Sequence, residues 1–193
     1  MTTAAELALI GGNLALDFAN TAGWHASDEH IERLTSYGEL LAWCRHAGVL
    51  TPAQSRRLEG VAAKSPARAT RTVKHAIVVR EVIYRIFAQI ARGGIPDASD
   101  LELLQREYVA ALAQATAEWD GSAVKLDWQV GDDLQMPLYP IAVAAMRLLE
   151  APPPGRVRQC GNDPCGWLFV DTSRSGTRRW CSSAECGNQV RVR

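Results

Sequence analysis

The placement of four of the five cysteines constrains this chain more than any other feature. Cys160 and Cys165 are separated by four residues, Cys181 and Cys186 have the same spacing, and fifteen residues lie between the two pairs. Two close ligands on each of two turns can bring four thiolates to about 2.3 Å from one Zn²⁺, which leaves no coordination position open. The spacing therefore predicts a closed structural zinc site held by these four cysteines.

Disulfides, redox-active thiols and an iron–sulfur cluster are the alternatives to zinc. Residues 1–10 lack the basic start and the long apolar run of a secretory signal peptide, which predicts a cytoplasmic protein with reduced thiols. A segment of about 40 residues cannot bury enough apolar surface to fold without a metal, disulfides or a partner. Bound zinc supplies on the order of 10 kcal/mol of folding free energy, so zinc is the favoured interpretation.

The residues around the cysteines predict the local fold of this segment. Residues 157–160 and 166–170 flank the turn sequence Gly-Asn-Asp-Pro, which indicates a β-hairpin with the first cysteine pair at its tip. The sequence from Ser182 to Glu185 matches a capping box, so a helix is predicted to begin at Ser182 with Cys186 in or just after its first turn. Together these elements predict a treble-clef-like zinc finger at residues 156–193.

Residues 1–150 predict a mostly helical domain with one small hairpin, so the fold class is α+β. A proline-rich linker at residues 151–155 is the predicted domain boundary. Between residues 115 and 130, apolar residues alternate with polar ones around an Asp-Gly turn, which indicates the hairpin. Capping residues, proline, glycine and apolar periodicity predict helices at residues 14–21, 37–47, 67–91 and 138–150, and others that begin at Pro52 and Ser99.

Three segments resemble known bacterial families. Residues 160–188, CGNDPCGWLFVDTSRSGTRRWCSSAECGN, resemble the CGNR zinc finger of bacterial regulators. Residues 12–21, GNLALDFANT, resemble the opening of the ABATE domain that precedes this finger, and residues 137–142, PLYPIA, resemble its closing segment. The resemblance implies a transcription regulator, linked in some members to stress responses, in which an ABATE-like sensor or dimerisation domain precedes a Zn²⁺-dependent finger that binds double-stranded DNA.

The charge distribution supports a nucleic-acid partner independently of this resemblance. Residues 151–193 carry seven arginines, no lysine and three acidic residues, whereas residues 1–150 carry 14 basic and 18 acidic residues. Arginine suits bidentate contacts to phosphate or guanine. Gln189 stands where the family name places arginine, and the basic tail is short, so positive charge is reduced there. The candidate DNA contacts are Arg158, Arg174, Arg178, Arg179, Asn188 and Arg191.

Some of these DNA-contact candidates also have a structural interpretation. Some arginines could neutralise the zinc thiolates, and Asn188 could cap or hold the zinc turn instead of reading a base. The alternative function is a zinc-stabilised protein-interaction adaptor that does not bind DNA, and an enzyme that uses a cavity in the N-terminal domain is a third class.

The N-terminal domain offers a candidate ligand site and no recognisable catalytic arrangement. Asp17, Asn20 and Thr21 interrupt an apolar helical segment, and Arg80 lies within a long helix, so these four residues are the candidate ligand contacts. A hydrogen-bonded structural network is the alternative. The sequence predicts a non-enzymatic, cytoplasmic, ligand-responsive regulator. A homodimer is expected from the two half-sites that such regulators bind on DNA, and not from any residue of this sequence. A membrane span is not predicted, because no apolar run approaches 18 residues.

Overall fold

The computed structural model describes residues 3–25, 27, 29–150 and 156–192. In these ranges, six α-helices, two short 3₁₀ helices (Ala4–Glu6 and Met136–Leu138) and one hairpin make up the part that we call the helical part (residues 3–150). A second hairpin, a π-helical turn (Ser183–Gly187) and a short α-helix make up the finger (residues 156–192). The elements are α1 (Leu14–Ala19), α2 (Tyr37–His46), α3 (Pro52–Lys64), α4 (Pro66–Ala91), α5 (Ala98–Ala113), β1 (Thr116–Trp119), β2 (Val124–Asp127), α6 (Tyr139–Glu150), β3 (Val157–Gln159), β4 (Leu168–Val170) and α7 (Asn188–Val192).

Local capping residues set most of the helix ends, as predicted. The Asn13 side chain accepts a hydrogen bond from the backbone N–H of Ala15 at 2.9 Å and begins α1. Thr51 and Gln54 form the capping box that begins α3. Gly93 has a φ of +74°, a left-handed conformation that favours glycine, directly after α4. Helix α5 was predicted to begin at Ser99 but begins at Ala98, because the Asp97 carboxylate caps it.

The β1–β2 hairpin lies on the surface and confirms the hairpin predicted from the alternation of apolar and polar residues. Its strands are antiparallel, with Thr116 opposite Asp127. The Asp120 carboxylate accepts backbone hydrogen bonds in the turn. The alternation extends beyond the strand in the sequence, but β2 ends at Asp127. Trp128 instead packs on the core, and its Nε1 donates to the Ala111 carbonyl at 2.8 Å.

The long helix α4 organises one core that includes the finger. Helices α1, α2, α3 and α5 contact α4, and α6 contacts α1 and α5. Both strands of the finger hairpin also contact α4, and Val157 and Leu168 belong to the same buried apolar cluster as Phe18, Trp43 and Phe87. The finger hairpin is therefore part of the main core. Residues 151–155, where the linker was predicted, lie outside the described residues.

Within the described residues, no helix is both long enough and apolar enough to cross a lipid bilayer.

One ion pair between α4 and α5 predicts a pH dependence. His75 Nε2 lies 3.0 Å from Glu107 Oε2, and this hydrogen bond raises the pKa of His75 above its ordinary value. A group whose pKa is raised by folding stabilises the fold fully below its unfolded pKa, about 6.5 for histidine, and loses that contribution as the pH rises through the folded pKa. We expect the Glu107→Gln substitution to lower the pKa of His75 and to flatten the decline of the unfolding free energy above pH ~6.5.

Titration of the His75 ring by NMR and urea unfolding at several pH values measure this effect. The exposed Glu102 on the same helix is the matched control, and Glu102→Gln should leave the pKa of His75 unchanged. A His75 pKa that is equal in the parent protein and in the Glu107→Gln variant would show that the ion pair does not form in solution.

Candidate metal centre and the surface around it

The first cysteine pair lies at the tip of the β3–β4 hairpin. The strands are antiparallel, with Val157 opposite Val170. Cys160 N–H donates to the Trp167 carbonyl at 2.8 Å, and Cys165 N–H donates to the Asn162 carbonyl at 2.9 Å. These bonds close the predicted turn and bring both thiols to the same side of the hairpin. The hairpin prediction is therefore confirmed.

The second cysteine pair is held by a turn that differs from the predicted one. Ser182 caps this turn as predicted, since its Oγ accepts from Glu185 N–H at 3.2 Å. The following residues, Ser183–Gly187, form a π-helical turn, closed by a 3.0 Å bond from Gly187 N–H to the Ser182 carbonyl. A β-carbon on Gly187 would lie 3.1 Å from the Trp180 ring, so glycine allows this turn to pack closely on the tryptophan.

The four cysteines converge on a common point. All four are buried, and their sulfur atoms lie within 4.8 Å of one another. Cys165 Sγ is 3.6 Å from Cys181 Sγ, which is 3.5 Å from Cys186 Sγ. Four sulfurs at 2.3 Å from a tetrahedral Zn²⁺ would be about 3.8 Å apart. The cluster therefore fits one zinc ion held by four thiolates, the closed type of structural site.

The close approach of the sulfurs favours ionisation of Cys160 and raises the pKa of both Cys165 and Cys181, whose thiols donate hydrogen bonds to Cys160. The pKa of Cys160 is lowered, because the thiols of Cys165 and Cys181 donate hydrogen bonds to its thiolate, although burial acts in the opposite direction. Zinc binds cysteine as thiolate, so metal binding releases protons and its affinity depends on pH.

Arg178 supports the second cysteine pair. Its guanidinium lies 4.2 Å from the centre of the Phe169 ring. Its Nε donates to the Trp180 carbonyl at 3.0 Å, and its Nη2 donates to the Cys181 carbonyl. This predicted DNA contact is thus largely engaged with the backbone that leads into the zinc site.

Asp171, which the sequence analysis did not single out, fixes the loop between the cysteine pairs. It is fully buried, and its carboxylate accepts from Ser173 N–H at 2.9 Å and from Arg178 N–H at 2.9 Å. Hydrogen bonding, led by the Ser173 hydroxyl, lowers the pKa of Asp171. An Asp two residues before a Ser is a recognised turn signal and could have revealed this role.

A groove of about 630 Å³ lies beside the zinc site and carries four arginines. We call it the basic groove. Arg158 Nη2 donates to the Gly176 carbonyl at 3.2 Å, and Arg92, directly after α4, donates through Nε to Gln159 at 3.0 Å. Arg92 was not among the predicted contacts, because it lies outside the finger, in a part of the sequence whose net charge is negative. The arginines that line the basic groove are Arg92, Arg158, Arg178 and Arg179.

The other predicted DNA contacts lie elsewhere on the finger. Arg174 and Arg191 are exposed, and neither is among the residues that line the basic groove. Asn188 Nδ2 donates to the Ala184 carbonyl at 2.9 Å, within the zinc turn. This bond agrees with the structural interpretation of Asn188.

Polar contacts fix the finger against the helical part. The Asn20 side chain accepts from Leu168 N–H and donates to the Leu168 carbonyl, both at 2.8 Å, in a buried position. Trp167 Nε1 donates to the Ala22 carbonyl at 3.0 Å, and the Tyr84 hydroxyl donates to the Gly166 carbonyl at 3.1 Å. The first hairpin of the finger is therefore held by α1, by the loop after it and by α4.

The four predicted ligand contacts are all engaged by protein groups. Asp17 accepts from Gly11 N–H at 2.7 Å, and the Thr21 hydroxyl donates to the Phe18 carbonyl at 2.7 Å. Asn20 binds the finger backbone, as described above. These contacts correspond to the structural-network alternative.

Arg80 belongs to a buried charge network. It is 1% exposed, and its guanidinium makes two hydrogen bonds of 2.6 Å to the Glu32 carboxylate and one of 2.9 Å to Glu81. His25 lies 3.3 Å from Glu81 and stacks on Tyr84. Burial opposes ionisation of Glu81, but His25 and Arg80 outweigh it and lower the pKa of Glu81 to about 2.

The fold and the site define a helical protein with a four-cysteine zinc finger docked on its central helix. Residues 12–152 match ABATE, described as "Putative stress-induced transcription regulator", and residues 156–193 match the CGNR zinc finger. The chain belongs to the ABATE family, which confirms the resemblance seen in its sequence. Both matches are of regulator and zinc-finger type and neither is an enzyme family. No curated protein matches the chain.

Proposed function

We propose that this protein is a transcription regulator that binds double-stranded DNA through the surface of its zinc finger. The observation that carries this proposal is the basic groove, where Arg92, directly after α4, and three arginines of the finger lie around one concave surface. Phosphate contacts by arginine and lysine supply most of the affinity of such proteins for DNA. A groove lined by guanidinium groups suits the phosphate backbone.

The charge balance around the groove supports the same function. The seven arginines and three acidic residues from position 151 onward give a formal charge of +4. Four thiolates and one Zn²⁺ reduce it to about +2. Residues 1–150 carry a formal charge of −4. This polarity would orient the finger, and not the helical part, towards DNA.

The arginines of the proposed surface have different roles. Arg179 is exposed, with its guanidinium 5.2 Å from the Trp180 ring, and Arg158 is exposed at the edge of the groove. These two are the leading phosphate contacts. Arg178 is a positioning residue, since its guanidinium holds the Trp180 and Cys181 carbonyls. Arg174 and Arg191 would flank the contact surface.

The helical part would act as the sensor or dimerisation domain of a cytoplasmic regulator. Because the finger shares its core with the helical part, two fingers in a homodimer would take their spacing from the helical parts. Spacing of this kind selects the separation of DNA half-sites. A catalytic role is not part of this proposal.

The combined substitution Arg158→Ala and Arg179→Ala tests the proposal. We expect the zinc-loaded full chain to bind a duplex with an affinity that falls as salt rises, by a log–log slope of about −0.9 per phosphate contact. Removal of two contacts should make the slope shallower by about 1.8. Fluorescence anisotropy of a labelled duplex, titrated between about 50 and 200 mM salt, measures both quantities.

The combined substitution Arg71→Ala and Lys74→Ala is the matched control. It removes the same charge from exposed positions of α4. These positions lie about 27–32 Å from Arg92 along the helix axis, at a rise of 1.5 Å per residue. The control should retain the parent slope. If the zinc-loaded parent protein binds no duplex at about 50 mM salt, DNA binding is excluded and the protein-interaction adaptor becomes the assigned function.

A further inference from the structure

A second cleft, of about 260 Å³, lies between the finger and the loop that follows α1. We call it the tryptophan cleft. Three residues of the helical part and four of the finger form its walls, and three of the zinc-binding cysteines close one end. The wall residues are Gly23, Trp24, Arg33, Asn162, Trp167, Glu185 and Gln189. The four predicted ligand contacts of the helical part are not among the residues that line this cleft.

Two buried polar groups in the tryptophan cleft have no hydrogen-bond partner among the described residues. They are the guanidinium of Arg33, through Nε and Nη1, and the Oδ1 atom of Asn162. The Asn162 residue is 3% exposed, and its Nδ2 donates to Gln189 Oε1 at 3.0 Å. Buried polar atoms are nearly always paired in folded proteins, and buried cations especially so. Among the described residues, the cleft thus presents two guanidinium nitrogens of Arg33 and one oxygen of Asn162 without a hydrogen-bond partner, although it also carries the Glu185 carboxylate, to which neither of these nitrogens is bonded.

Two tryptophans also line the cleft. Trp167 is held in place by its bond to the Ala22 carbonyl, and Trp24 is 41% exposed. Trp24 has a φ of +56°, a conformation that is rare for residues other than glycine. Two indole faces with a few convergent polar groups are typical of a small-molecule site.

The position of the Arg33 guanidinium depends on Gly23. A β-carbon at Gly23 would lie 2.6 Å from Arg33 Nη1, so any larger residue there would displace the guanidinium. Burial lowers the pKa of Arg33, although the negative charge of the neighbouring Glu32 acts in the opposite direction.

We propose that the tryptophan cleft binds a small aromatic carboxylate that also carries a hydrogen-bond donor. Arg33 binds the carboxylate, Asn162 Oδ1 accepts from the donor, and the ring lies against Trp24 and Trp167. The ligand does not coordinate zinc, because four thiolates fill the tetrahedral site. A bound ligand contacts both the finger and the helical part, so it favours the arrangement in which the two are docked. This inference does not depend on DNA binding.

Isothermal titration of the zinc-loaded full chain tests this site without DNA. The probes are 4-hydroxybenzoate, the neutral analogue 4-hydroxybenzamide, and indole-3-carboxylate as a larger carboxylate. We expect at least one of the two carboxylates to bind saturably and to raise the Tm, and 4-hydroxybenzoate to bind at least tenfold more tightly than its amide. Arg33→Gln should weaken carboxylate binding at least tenfold, whereas the exposed Arg71→Gln should not change it.

The stability of the ligand-free variants separates a binding role of Arg33 from a structural one. Because Nε and Nη1 of Arg33 have no hydrogen-bond partner among the described residues, Arg33→Gln should leave the Tm of the ligand-free protein unchanged or raise it. The proposal is overturned if neither carboxylate binds, or if binding is equal in the parent protein and in Arg33→Gln. A lower Tm in Arg33→Gln with unchanged probe binding would assign Arg33 to folding alone.

Discussion

Removal of zinc is expected to unfold the finger and to destabilise the helical part with it. The cysteine cluster and Phe169 form the small core of the finger, so without metal little remains to hold the second cysteine pair and the turn around it. Zinc contributes on the order of 10 kcal/mol to the folding of such modules. Val157 and Leu168 belong to the main core, so loss of the finger fold would also expose apolar surface of α1 and α4. The finger and the helical part should therefore lose stability together, as one cooperative unit.

The Cys181→Ala substitution tests this expectation, with Cys44→Ala as the matched control. Cys181 is at the centre of the cluster, whereas Cys44 is fully buried in the helical core. Bound zinc should fall from one ion per chain to none in Cys181→Ala and remain at one in Cys44→Ala. We expect the control to lose about 1 kcal/mol, as for removal of one small buried group.

Metal analysis and hydrogen exchange measure the two parts of this prediction. In Cys181→Ala, amide protection should be lost in residues 156–192 and reduced in α1 and α4. Full retention of protection in the finger after zinc removal would contradict the assignment of a structural metal site.

Loss of the Asn20 side chain is expected to have the second large effect. Asn20 is 2% exposed, and its amide satisfies both the N–H and the carbonyl of Leu168. Asn20→Leu would leave both backbone groups buried without a partner, at about 1–3 kcal/mol each, or about 2–6 kcal/mol in total. The substitution also separates the two interpretations of Asn20, because a residue that served only ligand binding could be removed with little loss of stability.

Thr21→Val is the matched control for Asn20→Leu. Thr21 is equally buried, but its hydroxyl donates only to the Phe18 carbonyl in the preceding turn. This change should cost about 1 kcal/mol. Urea unfolding gives both free energies, and hydrogen exchange at the Leu168 amide reports on the contact itself. An equal loss of unfolding free energy in the two variants would show that the contact between Asn20 and the Leu168 backbone does not make a large contribution to stability.

Short-range signals allowed much of the fold to be predicted from the sequence. The cysteine spacing predicted the metal ligands, because four thiolates on two turns are the minimum for a closed zinc site. Asn13, Thr51 and Gly93 predicted helix ends, because a cap or a left-handed residue acts on the backbone within a few positions. The π-type turn at Ser183–Gly187 was not predictable, because it occurs together with the close packing of Gly187 on Trp180, a contact that exists only in the folded finger.

The candidate site was predictable only in part. Arg178 was recognised as a charged residue, but its role depends on the carbonyls of Trp180 and Cys181 that it meets in the folded finger. Arg92 joined the basic groove because the end of α4 lies beside β3. A count of charge along the chain cannot show which guanidinium groups share a surface.

The sequence by itself determined that this protein has four metal-binding cysteines, a hairpin to carry two of them and a set of capped helices. The tertiary structure alone decided that the finger completes the helical core, that Arg80 is neutralised by Glu32 and Glu81, and that Arg33 and Asn162 meet in one cleft. The physical reason is the sequence separation over which each interaction acts. Capping, turn formation and ligand spacing act within a few residues. Burial and the pairing of polar groups depend on which distant segments pack together in the protein interior.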